Sequence, residues 1–188
     1  MKVIAGEAHG QRLKAPRGMT TRPTSARVRE SIFSRLAARL DFSGLAVLDL
    51  FAGSGALGIE ALSRGAKNAV FVDSARAAAE AIRANLEALG LTSRSRLLCL
   101  DARRALADLA KEGACFDLVI ADAPYQQGLS AQILAQLCDS ALLAPGGWVV
   151  LELSRREAAP AEPGLESISV ATLGDHRIAL YRRAAQPE

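Results

Sequence analysis

The sequence predicts an α/β fold built on one mostly parallel sheet with helices on both faces. Three observations point there. Short apolar runs alternate with stretches of helical periodicity from Leu45 to Leu153. The runs are apolar at consecutive positions, as strands covered on both faces are. Only the last two runs are joined by a segment too short for a crossover helix.

Taken in order, Val3-Ile4-Ala5 and Arg12-Leu13-Lys14 read as short strands around Gly6 and Gly10, followed by the turn-prone Ala15-Pro16-Arg17-Gly18. Residues 1–20 are thus expected to form a small basic β-hairpin appendage, and residues 21–188 the main domain. Pro23-Thr24 offers a helix start. Val28, Ile32, Leu36 and Leu40 then recur every fourth position, which gives a helix of about fifteen residues with one buried stripe. Strands are predicted at Ala46–Leu50, Ala69–Asp73, Arg96–Leu100, Asp117–Ala121 and Gly147–Leu153. Helices are predicted at Ala56–Ser63, Arg76–Leu89, Ala102–Ala110 and near Ser130–Leu142, with turns at Ala144–Gly147 and an exposed loop at Ala158–Gly164. Ser167–Thr172 and Arg177–Tyr181, separated only by Leu173-Gly174-Asp175-His176, close the sheet as an antiparallel hairpin.

With 188 residues, half of them hydrophobic and 23% charged, the chain is long enough for one domain with a substantial core. No apolar run approaches the roughly 18 residues of a membrane span, and the N-terminus lacks the apolar stretch of a signal peptide, so a cytoplasmic protein without membrane association is expected. Small size and the lack of an apolar outer patch favour a monomer. Cys99, Cys115 and Cys138 have no zinc spacing and are read as small core residues. His9 and His176 are read as surface or turn histidines, and Trp148 as core. The net charge of +3 is unevenly spread: residues 1–45 hold nine Lys/Arg against three acidic residues. Arg12, Lys14, Arg22, Arg27 and Arg29 therefore mark the N-terminal quarter as the place where a polyanion lands.

Chemistry concentrates at the carboxyl ends of the predicted strands, where open sheets of this class bind ligands. Asp49-Leu50-Phe51-Ala52-Gly53-Ser54-Gly55 turns from a strand into a helix whose first N–H groups face any ligand there. Asp73 follows Gly53 by twenty positions, a spacing suited to a carboxylate on ribose hydroxyls. Asp101, next to Ala102, is placed to accept from an adenine amino group. Gly53, Gly55 and Gly58 also satisfy a dinucleotide pattern, but a carboxylate four residues before the first glycine repels a pyrophosphate and suits a sulfonium and an α-ammonium. Downstream, Asp122-Ala123-Pro124-Tyr125 ends another apolar run with two hydrogen-bond acceptors and an aromatic face.

Asp49–Gly55 with Asp73, Asp101 and Asp122–Tyr125 resembles the class I S-adenosylmethionine-dependent methyltransferases, in particular those that methylate amino groups. Arg22-Pro-Thr-Ser-Ala-Arg-Val-Arg-Glu-Ser-Ile-Phe33, together with Leu48–Arg64, is similar to the bacterial RsmD family over nearly the whole chain. The resemblance implies a Rossmann-like fold with a seven-stranded sheet, S-adenosyl-L-methionine as cofactor, no metal, and methylation of the exocyclic N2 of a guanine in 16S ribosomal RNA within an assembling small subunit. It departs at Ala123, where the family has proline, and at Glu7–Arg12, where the family is more basic. Asp122 and the Ala123 carbonyl would orient the amine, with Pro124 keeping Ala123 extended, and Tyr125 would stack on the base. Three other readings stay open: a DNA adenine-N6 methyltransferase, a nicotinamide-dependent oxidoreductase, and a non-catalytic RNA-binding module.

Overall fold

The computed structural model describes residues 1–16, 26–123 and 128–185. Among them the element order is α1 (Ala26–Ala37), β1 (Ala46–Leu50), α2 (Ala56–Ser63), β2 (Asn68–Val72), α3 (Arg76–Ala88), β3 (Ser95–Leu98), α4 (Ala102–Lys111), β4 (Phe116–Asp122), α5 (Leu129–Asp139), β5 (Leu143–Ser154), β6 (Leu165–Leu173) and β7 (His176–Arg183). A single 3₁₀ turn at Thr92–Arg94, which the sequence pattern did not announce, precedes β3.

The sheet runs β3-β2-β1-β4-β5-β7-β6. β1 to β5 pair in parallel, and β7 inserts antiparallel between β5 and β6. Chain order reverses between β1 and β4, so a crevice opens at their carboxyl ends. Strand alternation divides the core into two layers. Val47, Phe71, Ile120, Val150 and Leu180 pack under α1, α2 and α3, while Leu48, Leu50, Val119, Leu151 and Tyr181 pack under α4 and α5.

The N-terminal appendage is less of a hairpin than expected. Its strand pairing is one antiparallel bridge, Lys2 to Arg12, flanked by Val3 N–H donating to the Gln11 carbonyl at 3.0 Å and Leu13 N–H to the Met1 carbonyl at 2.9 Å. His9, Gly10 and Gln11 N–H also donate within the segment, to the Gly6, Val3 and Ala8 carbonyls, and further donors reach outside it. Ile4 and Ala5 N–H donate to the Glu60 carboxylate at 2.7 and 3.0 Å, and Ala8 N–H donates to Ser63 Oγ at 3.0 Å. Asn85 of α3 accepts from Lys14 N–H at 2.8 Å and donates to the Lys14 carbonyl at 3.0 Å. The segment is thus sewn to α2 and α3 by side chains, which satisfies its backbone without a partner strand. This cover buries α2 on every side, Glu60 and Ser63 included.

Other boundaries shift for local reasons. Leu40, expected on the first helix, falls beyond it, and the expected start at Pro23-Thr24 lies outside the described residues. Ala144–Gly147, expected as a turn, belongs instead to β5, where it forms a bulge: Phe116 pairs with Leu143 and Leu118 with Trp148, so four residues on β5 stand against one on β4. The cysteines are not core residues. Cys99 and Cys115 are exposed and Cys138 is half-buried, because Cys99 follows the edge strand β3 and Cys115 lies in the irregular link just before β4.

Candidate active site

Alternation along β1 places Asp49 on the same face as Val47, toward α2, at a position where the neighbouring rows are apolar. The side chain is fully buried. Its Oδ2 accepts from Gly58 N–H at 2.8 Å, and its Oδ1 has no hydrogen-bond partner among the described residues. Gly58 permits this close seating, since a Cβ there would lie 2.4 Å from Phe71 Cε1 and 3.1 Å from Asp49 Oδ2. Burial pushes the Asp49 carboxyl up to about 7, opposed by the Gly58 hydrogen bond and reinforced by the negative charges of Asp122 and Asp73. Asp49 therefore latches α2 beneath the loop, a role its position in the motif did not announce.

The loop itself turns through Phe51 at φ 60°, Gly53 at φ 56° and Gly55 at φ 78°. A left-handed phenylalanine is uncommon and marks a constrained turn. Gly53 faces open space among the described residues: a Cβ added there would meet none of their atoms within 4 Å, as a loop that admits a ligand requires. Gly53 N–H donates to Asp73 Oδ2 at 2.8 Å, and Ala75 N–H donates to Asp73 Oδ1 at 2.9 Å. Each oxygen of Asp73 keeps a second lone pair for a hydroxyl. Ser54 is buried, its carbonyl accepting from Asn85 at 2.9 Å and its Oγ lying 3.3 Å from Met1 Sδ. The appendage, the loop and α3 thus meet at Ser54. Asp101 caps α4, accepting from Arg103 and Arg104 N–H at 3.0 and 3.4 Å, and remains exposed beside the edge strand. Ala102 points its methyl into the core beneath α4.

Asp122 ends β4, next to the β1 rim, and is partly exposed; Ala123 is buried. Pro124 and Tyr125 lie outside the described residues. Beside Asp122, in register on β5, stands Glu152, only 3% exposed. Its Oε1 lies 2.7 Å from Nδ1 of His176, the first residue of β7. His176 is therefore not an ordinary turn histidine. Neither residue carried a local motif; only strand register brings them to Asp122.

Among the basic residues, Arg12, Lys14 and Arg27 are exposed, and Arg22 lies outside the described residues. Arg29 departs from expectation. It is 1% exposed, and its Nη2 donates to the Lys2 carbonyl at 3.0 Å while Nε and Nη1 have no hydrogen-bond partner among the described residues. Burial pulls its guanidinium below the ordinary arginine range, and Glu60 opposes that shift. The reason is helical phase: Arg29 sits three, four and seven positions before Ile32, Phe33 and Leu36, on the buried stripe of α1.

A family model described as Conserved hypothetical protein 95 matches residues 1–182. The chain belongs to that family. Ribosomal RNA small subunit methyltransferase D of Escherichia coli strain K12 is 33% identical over 189 aligned positions, covering 100% of this chain and 92% of the relative. The YlbH protein of Bacillus subtilis strain 168 is 38% identical, covering 97% and 99% of the two chains. In three dimensions the Escherichia coli protein yhhF superposes with a TM-score of 0.86 at 33% identity, over 99% of both chains. The expected resemblance to the RsmD family and the Rossmann-like methyltransferase fold are both met in this family.

Proposed function

We propose that the chain transfers a methyl group from S-adenosyl-L-methionine to the exocyclic N2 of a guanine in 16S ribosomal RNA, in the cytoplasm, on an assembling small subunit. The observation that carries the reading is the adjacency of Asp122 to the β1 loop: the Gly53–Asp73 turn stands at the carboxyl end of β1 and, one strand away, the Asp122 carboxylate ends β4. The name of the Escherichia coli relative supports the ribosomal substrate.

The residues present fit the cofactor. Gly53 offers open space, Asp73 has lone pairs for ribose hydroxyls, and Asp101 stands exposed on the β3 side, with Ala102 packing beneath it. Phe51, Ser54 and Gly55 shape the loop between them. Asp49 Oδ1, without a partner among the described residues, places a buried acceptor and a titratable charge under that loop, which suits a cationic ligand and disfavours a pyrophosphate. When bound, the cofactor supplies an activated methyl on a sulfonium.

The chain's own residues then handle the amine. A guanine amino group shares its lone pair with the ring and is a weak nucleophile. Asp122 and the Ala123 carbonyl each accept one N–H, which directs the lone pair out of the ring plane toward the β1 loop. Tyr125 stacks on the base. Alignment of this kind is worth roughly 7–11 kcal/mol in well-oriented reactions. Arg12, Lys14, Arg22 and Arg27 meet the RNA backbone.

The test is incubation of hypomethylated small subunits and of free RNA with labelled S-adenosyl-L-methionine, followed by nucleoside analysis. N2-methylguanosine is expected. Label on another atom, uptake only by DNA adenine, or RNA binding without uptake would replace this reading with one of its rivals.

A further inference from the structure

Alternation along the strands sets Asp122, Glu152 and His176 on one face of the sheet. Each lies two residues along its strand from a side chain of the same core layer: Ile120, Val150 and Ile178. Asp122 and Glu152 are direct neighbours in the β4–β5 pairing, and β5 pairs next with β7. Two carboxylates and an imidazole thus occupy adjacent strands at the rim where the amine is held.

Stability alone does not account for this arrangement. A carboxylate that is 3% exposed gives up its hydration, and a well-packed apolar pair in its place is often as stable or more so. Its bond to His176 Nδ1, at 2.7 Å, fixes the direction of the carboxylate group. Adjacent strands lie about 4.8 Å apart, and glutamate is one methylene longer than aspartate. The Asp122 and Glu152 carboxylates can therefore converge on neighbouring atoms of one planar ring.

We propose that Glu152 accepts a hydrogen bond from N1–H of the target guanine while Asp122 holds its N2 amine, with His176 as the positioning residue that orients Glu152. The proposal rests on the guanine reading above and gives it a physical cause. Among the four bases only guanine carries an exocyclic amine next to a ring N–H. In adenine and cytosine the ring nitrogen beside the amine is an acceptor, so the same geometry sets a lone pair against the Glu152 carboxylate. A buried acceptor facing an acceptor is strongly disfavoured, and this excludes adenine, the base with the chemically closest amine.

The test uses RNA in which the target guanine is replaced by 2,6-diaminopurine, which keeps the N2 amine but presents an acceptor at N1. The unmodified protein should prefer guanine by roughly 5- to 150-fold in kcat/KM, the range of one good base contact. In Glu152→Gln the carboxamide can donate to that acceptor, so the preference should fall toward unity or invert. His176→Leu should also shrink the preference with cofactor affinity unchanged, and His176→Gln should restore part of it. A preference in Glu152→Gln equal to that of the unmodified protein, with cofactor affinity also equal, overturns the proposal. Should Glu152→Gln fail to fold, an unchanged preference in His176→Leu overturns it instead. These outcomes are distinct from failure of the guanine reading itself, in which the unmodified protein makes no N2-methylguanosine at all.

Discussion

The two halves of the crevice are built by different means. On the β1–β2–β3 half, each carboxylate holds backbone N–H groups within twenty positions: Asp49 takes Gly58, Asp73 takes Gly53 and Ala75, and Asp101 takes Arg103 and Arg104. On the β4–β5–β7 half, Glu152 and His176 come from separate strands and meet side chain to side chain beside Asp122. The first half is a set of braced loops whose shape is present before any ligand arrives. The second is a polar surface assembled by the sheet itself. Substitutions on the first half should therefore move folding and cofactor affinity, and those on the second should move transfer to the base.

Asp122→Ala sharpens this contrast most. Methyl transfer should fall by at least about a hundredfold, as when one preorganised polar group is removed from a reacting centre, while the cofactor dissociation constant stays nearly the same. Single-turnover transfer and equilibrium cofactor binding, measured on the same preparation, check it. A parallel loss of cofactor affinity would merge the two halves into one functional unit.

Asp49 offers the next largest effect, on stability. Its carboxyl is raised to about 7 in the folded chain, from an ordinary value near 3.8. The folded protein therefore binds a proton that the unfolded chain has already lost, and stability falls as pH rises from about 4 to about 7 and stays lowered above that. The shift corresponds to a few kcal/mol at most. In Asp49→Asn this component is absent. Melting temperatures of the two proteins at pH 5 and pH 8 should show the unmodified protein losing more on going to the higher pH. Equal losses would remove the buried carboxyl from the pH response.

Gly58→Ala tests the same brace through packing. The added methyl meets the buried Phe71 ring at 2.4 Å, and neither the ring nor Asp49 has room to give. Overpacking of this kind costs about 1–3 kcal/mol. In a chain of this length that is a fall of roughly 2–4 °C per kcal/mol in the melting temperature.

These contrasts also explain what could be read from sequence. β1 and α2 were legible to the residue because both limits are local: a carboxylate and a glycine turn end the strand, and the glycines open the helix. The β6–β7 hairpin was legible because a connection of four residues or fewer leaves no other option; pairing of Leu173 with His176 shortens it to Gly174-Asp175. Glu152 and His176 were illegible, since their meeting depends on which strands are neighbours and in what register. Glu60 and Asn85 escaped for a similar reason, as their partners lie 55 to 71 positions away in the appendage. Arg29 is a different case: its place on the stripe with Phe33 and Leu36 was visible, but its charge suggested a surface role.

The smallest expected effect separates the arginines by their burial. Arg12 and Arg27 are exposed, whereas Arg29 is 1% exposed and bonded to the Lys2 carbonyl. If the basic N-terminal quarter meets RNA phosphates, Arg12→Ala and Arg27→Ala should each lower the salt-dependence slope of RNA binding by about one unit per lost contact, with melting nearly unchanged. Arg29→Ala should do the reverse, lowering the melting temperature through lost packing of α1 on the appendage while leaving the slope alone. Binding curves across a salt series, with thermal melts of the same three variants, decide the matter. A slope that moves with Arg29 and not with Arg12 or Arg27 would transfer the phosphate contact from the outer surface to the α1 interior.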